Sequence, residues 1–331
     1  MDSLTQIAIG IATAEVFLGN KIKNKTFIYG ALLGTLPDLD VFVGKFFDPV
    51  TAVSIHRSFS HSLIFYLLLS LPLGFLVHKI EKGKVKLFLA TQAVFSILLT
   101  HSFIDIFTTW GTQLFWPLPY KLAFKSIFVV DVFYTLPWIV FLFFIFKSND
   151  FERRKKFLRL AFFTTTAYLL LGLSIKFYVL NKFEEALNKE NIKYSDLIVK
   201  PTFSNLILWN ANVKTDKAFL LADYSLFDSQ PIQFKKYLKD TIAEQEIQDL
   251  PVFKQLQDIS EGWYIVSKVD EDYIFNDLRF GLLKTDATND QFAFSYSIRE
   301  INNLIKISEI KKERRDGVVY LKNIFNRMLG N

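Results

Sequence analysis

Six stretches dominated by apolar side chains, residues 4–18, 27–47, 62–78, 87–107, 127–146 and 160–180, alternate with short charged breaks over the first half of the chain. A membrane helix needs roughly 20 consecutive apolar residues, so the last five read as spans. The first is shorter and is interrupted by Glu15, which leaves a span or a buried re-entrant helix open. Its small residues Ala8, Gly10, Ala12 and Ala14 permit close approach of a neighbouring helix. Pro37 removes a backbone donor inside the second stretch and predicts an end or kink there. Irregular backbone at membrane depth must be buried in protein or line a wet cavity, and Asp38 and Asp40 follow the proline directly. An extended backbone after Pro37 would put both carboxylates on one side.

From Lys182 onward the pattern becomes that of a charged, soluble domain. Phe292, Phe294, Tyr296 and Ile298 alternate with smaller residues as in a half-buried strand, and residues 263–269 and 273–280 read as a hairpin around Asp270-Glu271. Residues 315–329 suit an amphipathic closing helix. The expected architecture is a membrane all-α bundle of about six helices over residues 1–181, carrying the polar motifs below, followed by a small soluble α+β domain over residues 182–331.

Charge gives this bundle an orientation. The loops after the first, third and fifth stretches carry 13 Lys and Arg residues, against 3 after the second and fourth. The positive-inside rule puts the first set in the cytoplasm. His56, Arg57, His61 and Asp105 then fall at the outer face, and the C-terminal domain lies outside the cytoplasm. Asp2 stands where a secretory signal would carry positive charge, which predicts that the first helix is retained.

Composition sharpens the picture in three ways. A chain of 331 residues that is 51% hydrophobic and 16% aromatic belongs with membrane proteins. The net charge of +6 sits largely in the loops that orient helices, so lipid bilayer rather than nucleic acid is the expected partner. Cysteine is absent, which excludes thiolate metal sites and cysteine nucleophiles and leaves His, Asp and Glu as metal ligands.

Two of the four histidines, His56 and His61, lie in a polar break between apolar stretches, and a third, His101, lies near the end of the fourth stretch. His101 and Asp105, four apart, share one helix face, a spacing that suits two ligands of one metal or a ligand with its orienting carboxylate. His56 and His61 are about 140° apart on an ideal helix and meet at one centre only if the segment is partly non-helical. Ser60 as N-cap would place His61 in a first helical turn and His56 in the loop before it. Three histidines with several carboxylates suit zinc or manganese, and an open coordination position would supply a water nucleophile. Arg57 is suited to bidentate recognition of a phosphate or carboxylate. The plainer alternative is that these groups cap helices or meet lipid headgroups, within a non-catalytic envelope or partner-binding protein whose His/Asp cluster is structural. No nucleophile elbow, phosphate-binding Gly loop or His-Glu-x-x-His motif is present, and no repeated half suggests a transporter.

Four ordered motifs, Met1-Asp2-Ser3-Leu4-Thr5, Gly34-Thr35-Leu36-Pro37-Asp38-Leu39-Asp40, His56-Arg57-Ser58-Phe59-Ser60-His61-Ser62 and His101-x-x-x-Asp105 with Thr108-Thr109-Trp110-Gly111, resemble those of the YdjM-like family of inner-membrane, metal-dependent hydrolases. The resemblance covers roughly residues 1–180. That family is held to be distantly similar to zinc-dependent phospholipase C and P1-type nucleases, which implies a multi-pass protein of the cytoplasmic membrane that hydrolyses a phosphate ester of a lipid or envelope metabolite. It implies Asp38, Asp40, His56, His61, His101 and Asp105 as metal-site residues, with Asp2 a further candidate. Asp40 would help to deprotonate water, and Arg57 would hold developing charge. The chain departs from the family pattern at Gln6, where members often carry His after Thr, and this leaves the number of metals open.

Overall fold

The computed structural model describes residues 1–284, 290–301, 304–311 and 317–331, and the chain divides into two compact units. The first comprises residues 1–43, 55–174 and 203–205, and the second comprises residues 44–54, 175–202 and 206–331.

The first unit is helical: α1 (Ser3–Ile22), α2 (Lys25–Thr35), α3 (Asp40–Gly44, all but its last residue), and, after α4 (Pro49–Ile55), α5 (Leu63–Ile80), α6 (Leu87–Asp105), α7 (Val132–Lys147) and the first part of α8 (Phe151–Lys189). α1 packs against α2, α6 and α7, and most of its residues are buried. The α1–α2 contact is backbone on backbone. A Cβ on Gly10 would meet Gly30 O at 2.3 Å, and a Cβ on Gly30 would meet Ile11 Cα at the same distance. The small residues of α1 thus set a crossing that larger side chains would prevent. α5 and α6 form an antiparallel pair in which Gly74 lies against Thr91, and Tyr66, Val94, Ile97 and Leu98 fill the core between them. The outward positions are apolar instead of charged, as Leu68, Leu71, Phe88, Phe133 and Phe163 show. This is the distribution of a bundle whose solvent is hydrocarbon.

Among the described residues three helices, α5, α6 and α8, are long and apolar enough to cross a membrane, and a fourth span arises if α2 and the Pro37–Gly44 segment, bent by 45°, count as one. This is fewer than the six expected. α7 has only 16 residues, and most of α1 is buried within the protein. Window hydropathy does not distinguish burial in protein from burial in lipid.

Glu15, the charge that interrupts α1, is buried and fully engaged. Arg154 donates from Nε and Nη2 to its two carboxylate oxygens, both at 2.7 Å, and Thr26 Oγ1 donates at 2.8 Å. The remaining guanidinium nitrogen donates to Asn24 Oδ1, Ile145 O and Ser148 O, so one arginine ties α1, the α1–α2 turn, the end of α7 and the start of α8 together.

The second unit carries two four-stranded antiparallel meanders. One is β1 (Asp196–Pro201), β2 (Leu208–Lys214), β3 (Ala218–Ser225) and β4 (Lys235–Leu238). After α9 (Thr241–Ile247) and α10 (Pro251–Ile259) comes the other, β5 (Tyr264–Val269), β6 (Asp272–Lys284), β7 (Gln291–Ile301) and β8 (Leu304–Glu309), with α11 (Gly317–Met328) closing the chain. The expected hairpin is β5–β6, and the alternating strand is β7, which buries Phe292, Tyr296 and Ile298. Residues 315 and 316 of the expected closing helix lie outside the described residues. Ile198, Phe219, Leu221, Trp263, Leu278 and Phe292 form a core shared by both sheets. Within this unit Gln255 of α10 donates to Thr51 Oγ1 of α4 at 3.2 Å.

Breaking a buried pair by removing one partner costs about 3–5 kcal/mol. Arg154→Ala should lower stability by that order in thermal unfolding of detergent-purified protein, and a loss below about 1 kcal/mol would place the pair in solvent. Overpacking a tight contact costs about 1–3 kcal/mol. Gly30→Ala should show such a loss, whereas Ala31→Gly, one position away, should not produce an overpacking penalty.

Candidate metal centre

Pro37 ends α2, and a 3-10 turn over Pro37–Leu39 carries the chain into α3. The backbone stays helical through Asp40 instead of becoming extended, so Asp38 and Asp40 diverge and do not share a side. A second 3-10 turn, Phe59–His61, precedes α5, whose N-cap is Ser62 and not Ser60. The hydroxyl of Ser60 is engaged elsewhere, donating to Asp40 Oδ2 at 2.6 Å.

These two turns and the end of α6 converge. Nε2 of His61 and Nε2 of His101 are 3.2 Å apart. Asp38 Oδ1 lies 3.3 and 3.4 Å from them, and Asp105 Oδ2 lies 3.8 and 3.6 Å away. One donor atom from each of the four residues falls within 4.8 Å of every other. Four ligands at roughly 2.0–2.1 Å in a tetrahedron stand about 3.4 Å apart, and five of the six donor separations here, 3.2–3.8 Å, lie near that value. A further observation fits this: Asp105 Oδ2 is buried with no hydrogen-bond partner among the described residues. A buried carboxylate oxygen left without a donor is costly, and a cation at the centre would satisfy it.

Each imidazole is oriented from behind. His101 Nδ1 donates to Gly34 O at 2.7 Å, leaving Nε2 to face the centre. Asp40 Oδ2 is 3.5 Å from His61 Nδ1, and the Ser60 hydroxyl is within 3.0 Å of the same nitrogen. Such hydrogen bonds fix the tautomer and ring plane of a metal-binding histidine. Burial is the largest influence on His61 and, against the pull of Asp38, holds its pKa at about 4. The ring is therefore neutral at pH 7, the form that ligates a metal. Ser102 Oγ donates to His61 O at 3.0 Å and is itself paired with the Tyr66 hydroxyl, fixing the backbone at His61 to α6.

The remaining expected residues fall around this set. Asp40 lies on the far side of the His61 ring, accepting from Arg57 N at 3.3 Å and pairing with His56 Nδ1 at 2.8 Å. His56 is 5.7 Å from His61 ring to ring and is partly exposed. Arg57 is buried, with a positive φ of 61°, and directs Nη1 to Thr108 Oγ1 and Nη2 toward Asp105 Oδ1 at 3.5 Å. It is therefore a partner of Asp105 rather than an exposed anion clamp. Asp2 caps α1 through Thr5 N and Thr5 Oγ1 and does not join the four-residue group.

Sequence reasoning missed the groups that complete the surroundings. Gln6 Nε2 donates to Asp105 Oδ1 at 3.1 Å and to His101 O at 3.3 Å, so the residue that departs from the family motif orients a ligand. The Met1 amine also pairs with Asp105 Oδ1 and is buried. The Gly34 carbonyl carries no side-chain signal in the sequence.

Metal analysis of protein purified without chelator should find about one divalent ion per chain. His101→Ala and Asp105→Asn should abolish its retention, and Asp40→Ala, which removes an orienting group, should weaken affinity by about 10–100-fold. Equal retention in all three variants would remove the centre from these residues.

The family model described as YdjM inner membrane protein matches residues 1–179, which contain every residue of the centre. The Inner membrane protein YbcI of Escherichia coli (strain K12) is 34% identical over 108 residues, 31% of this chain, and the match spans 60% of that relative's length. No solved structure matches the chain. With more than half of its residues covered by the family model, the chain belongs to the YdjM inner membrane protein family.

Proposed function

We propose that this protein is a membrane-bound, metal-dependent hydrolase of phosphate esters, and that the observation carrying this reading is the convergence of four His and Asp donor atoms, one of them the orphaned Asp105 Oδ2. Asp38, His61, His101 and Asp105 hold the ion. Zinc fits an N/O donor set of this size, and manganese is the second candidate. A bound divalent ion supplies Lewis acidity for a water and for a phosphoryl oxygen. The side chains of His61, His101 and Asp105 are fully buried, whereas that of Asp38 is 23% exposed. Substrate therefore approaches from the Asp38 side.

His56 lies near the His61 side of this set and is 27% exposed. With Nδ1 held by Asp40, its Nε2 is the atom at which a proton is held for transfer between water and leaving group. Asp40 acts through His56 and His61 as a positioning residue. Arg57 and Gln6 hold Asp105. The apolar side chains of Leu39, Val41, Phe42 and Phe59 are exposed on the turns that carry the site, a rim suited to an ester whose remainder is lipid. In this reading residues 1–181 are the catalytic bundle and residues 182–331 an accessory domain. The excess of basic residues in the loops after the first, third and fifth apolar stretches supports an outer-side location for the centre and, if all six stretches span, for that domain.

A second reading has its own support. Four protein ligands complete a tetrahedron, which is the arrangement of a structural zinc site, so the ion would brace the bundle without catalysis. His56→Ala separates the two. It spares all four ligands, so the hydrolase reading expects metal content unchanged and hydrolysis of a phosphodiester probe lowered by about 10²-fold or more. If stability falls on metal removal while metal-loaded protein shows no hydrolysis of lipid or soluble phosphodiesters, the structural reading holds.

A further inference from the structure

On the first unit, Glu15 and Val16 of α1 and Phe151, Lys155, Leu158, Arg159 and Phe162 of α8 line a groove of about 380 Å³. Its walls are apolar: Val16 is half exposed, Leu158 forms the floor at 8% exposure, and Phe151 and Phe162 bound it over roughly three turns of helix. An outward-facing apolar trough on a membrane bundle has the dimensions of an acyl chain.

Its charge is one-sided. The Glu15 carboxylate is neutralised by both nitrogens that Arg154 directs at it, and Thr26 completes its hydrogen bonding, so Glu15 adds no free negative charge to the groove. Lys155 pairs with Glu152 in an exposed contact of 3.1 Å, with side chains 41% and 74% exposed, a geometry that contributes little and exchanges readily. Arg159 is exposed and forms no ion pair among the described residues. Arg153 and Lys156 are exposed on the same stretch of α8. An apolar trough with one unengaged guanidinium and one weakly engaged ammonium at its edge is complementary to a molecule with a hydrocarbon tail and an anionic head.

We propose that this groove is a binding site for an anionic phospholipid, its acyl chain lying on Val16, Leu158 and Phe162 and its phosphate meeting Arg159 and Lys155. The site is separate from the metal centre and does not rest on the hydrolase reading. Because Arg154 from the same stretch clamps Glu15, lipid held here bears on the junction between α1 and α8.

A built-in reporter lies behind one wall of the groove. The buried indole of Trp138 meets the ring of Phe162 edge to face, with centroids 5.0 Å apart. Brominated lipids quench tryptophan at short range, through one intervening ring, so protein in phosphatidylcholine vesicles doped with either brominated phosphatidylglycerol or brominated phosphatidylcholine reports the occupant, with a Trp138→Phe protein giving the signal of the other tryptophans for subtraction. Each surface cation contributes about 1 kcal/mol toward an anionic lipid, about a fivefold preference. The Trp138 component should be quenched at about fivefold lower mole fraction of the phosphatidylglycerol probe. Arg159→Glu, an exposed change that leaves the Glu15–Arg154 pair intact, should bring the two probes to parity. Equal quenching by both probes in the unmodified protein would overturn the proposal, as would a preference that survives in Arg159→Glu with Lys155→Gln. Loss of the Trp138 signal with neither probe, through self-association of the chain at higher protein density, would assign the groove to a second copy and overturn it equally.

Discussion

A carboxylate buried in an apolar bundle needs positive charge beside it, or it destabilises the fold by several kcal/mol. Asp105 is completely buried at the end of α6, and the first unit is arranged around meeting that need. Oδ1 receives Gln6, the Met1 amine and the approach of Arg57, while Oδ2 faces two imidazole nitrogens and is left for a cation. The backbone contact of α1 with α2 brings Gln6 and Gly34 to this depth together, since a Cβ on Gly34 would lie 2.8 Å from Gln6 O. Glycines at a helix crossing thereby decide where a hydrogen-bond donor and an orienting carbonyl stand relative to one acid.

Two other buried charges follow the same rule with different partners. Glu15 is answered within the bundle by an arginine from α8. In the second unit Arg279 is enclosed at 0% exposure between Asp277 and Glu261. Those networks close on themselves, every charge meeting its opposite in the chain. The group at Asp38, His61, His101 and Asp105 does not close, and that difference separates a candidate site from scaffolding more clearly than burial or residue type.

Much of this was legible in the chain. Pro37 marked a break that the helix makes, His101 and Asp105 were placed on one face by their spacing alone, and the strand alternation of β7 and the β5–β6 hairpin were plain in residues 263–298. What failed to show depended on competition between local and distant partners. Ser60 has the chemistry of an N-cap, but a carboxylate twenty positions earlier takes its hydroxyl and Ser62 caps in its place. Asp38 and Asp40 diverge because the helical backbone resumes immediately after the proline. Arg57 looks like an exposed anion clamp in sequence, and only the fold shows Asp105 as its neighbour. Length and composition support three or four of the six expected spans, because an apolar residue reads the same whether its neighbour is a lipid or another helix.

The bond between Asp40 and His56 joins residues sixteen positions apart, and the chain between them leaves the first unit at Gly44 and rejoins it at Ile55. The pair thus closes a loop whose interior contributes nothing to the metal-ligand set. The entropy of closing such a loop grows only logarithmically, by about 0.6 kcal/mol for each doubling of its length. Length in the excursion is therefore cheap in closure entropy, and what constrains it is the packing of Val50 and the Gln255–Thr51 hydrogen bond, while the two residues that bound it stay in register with the imidazole they orient.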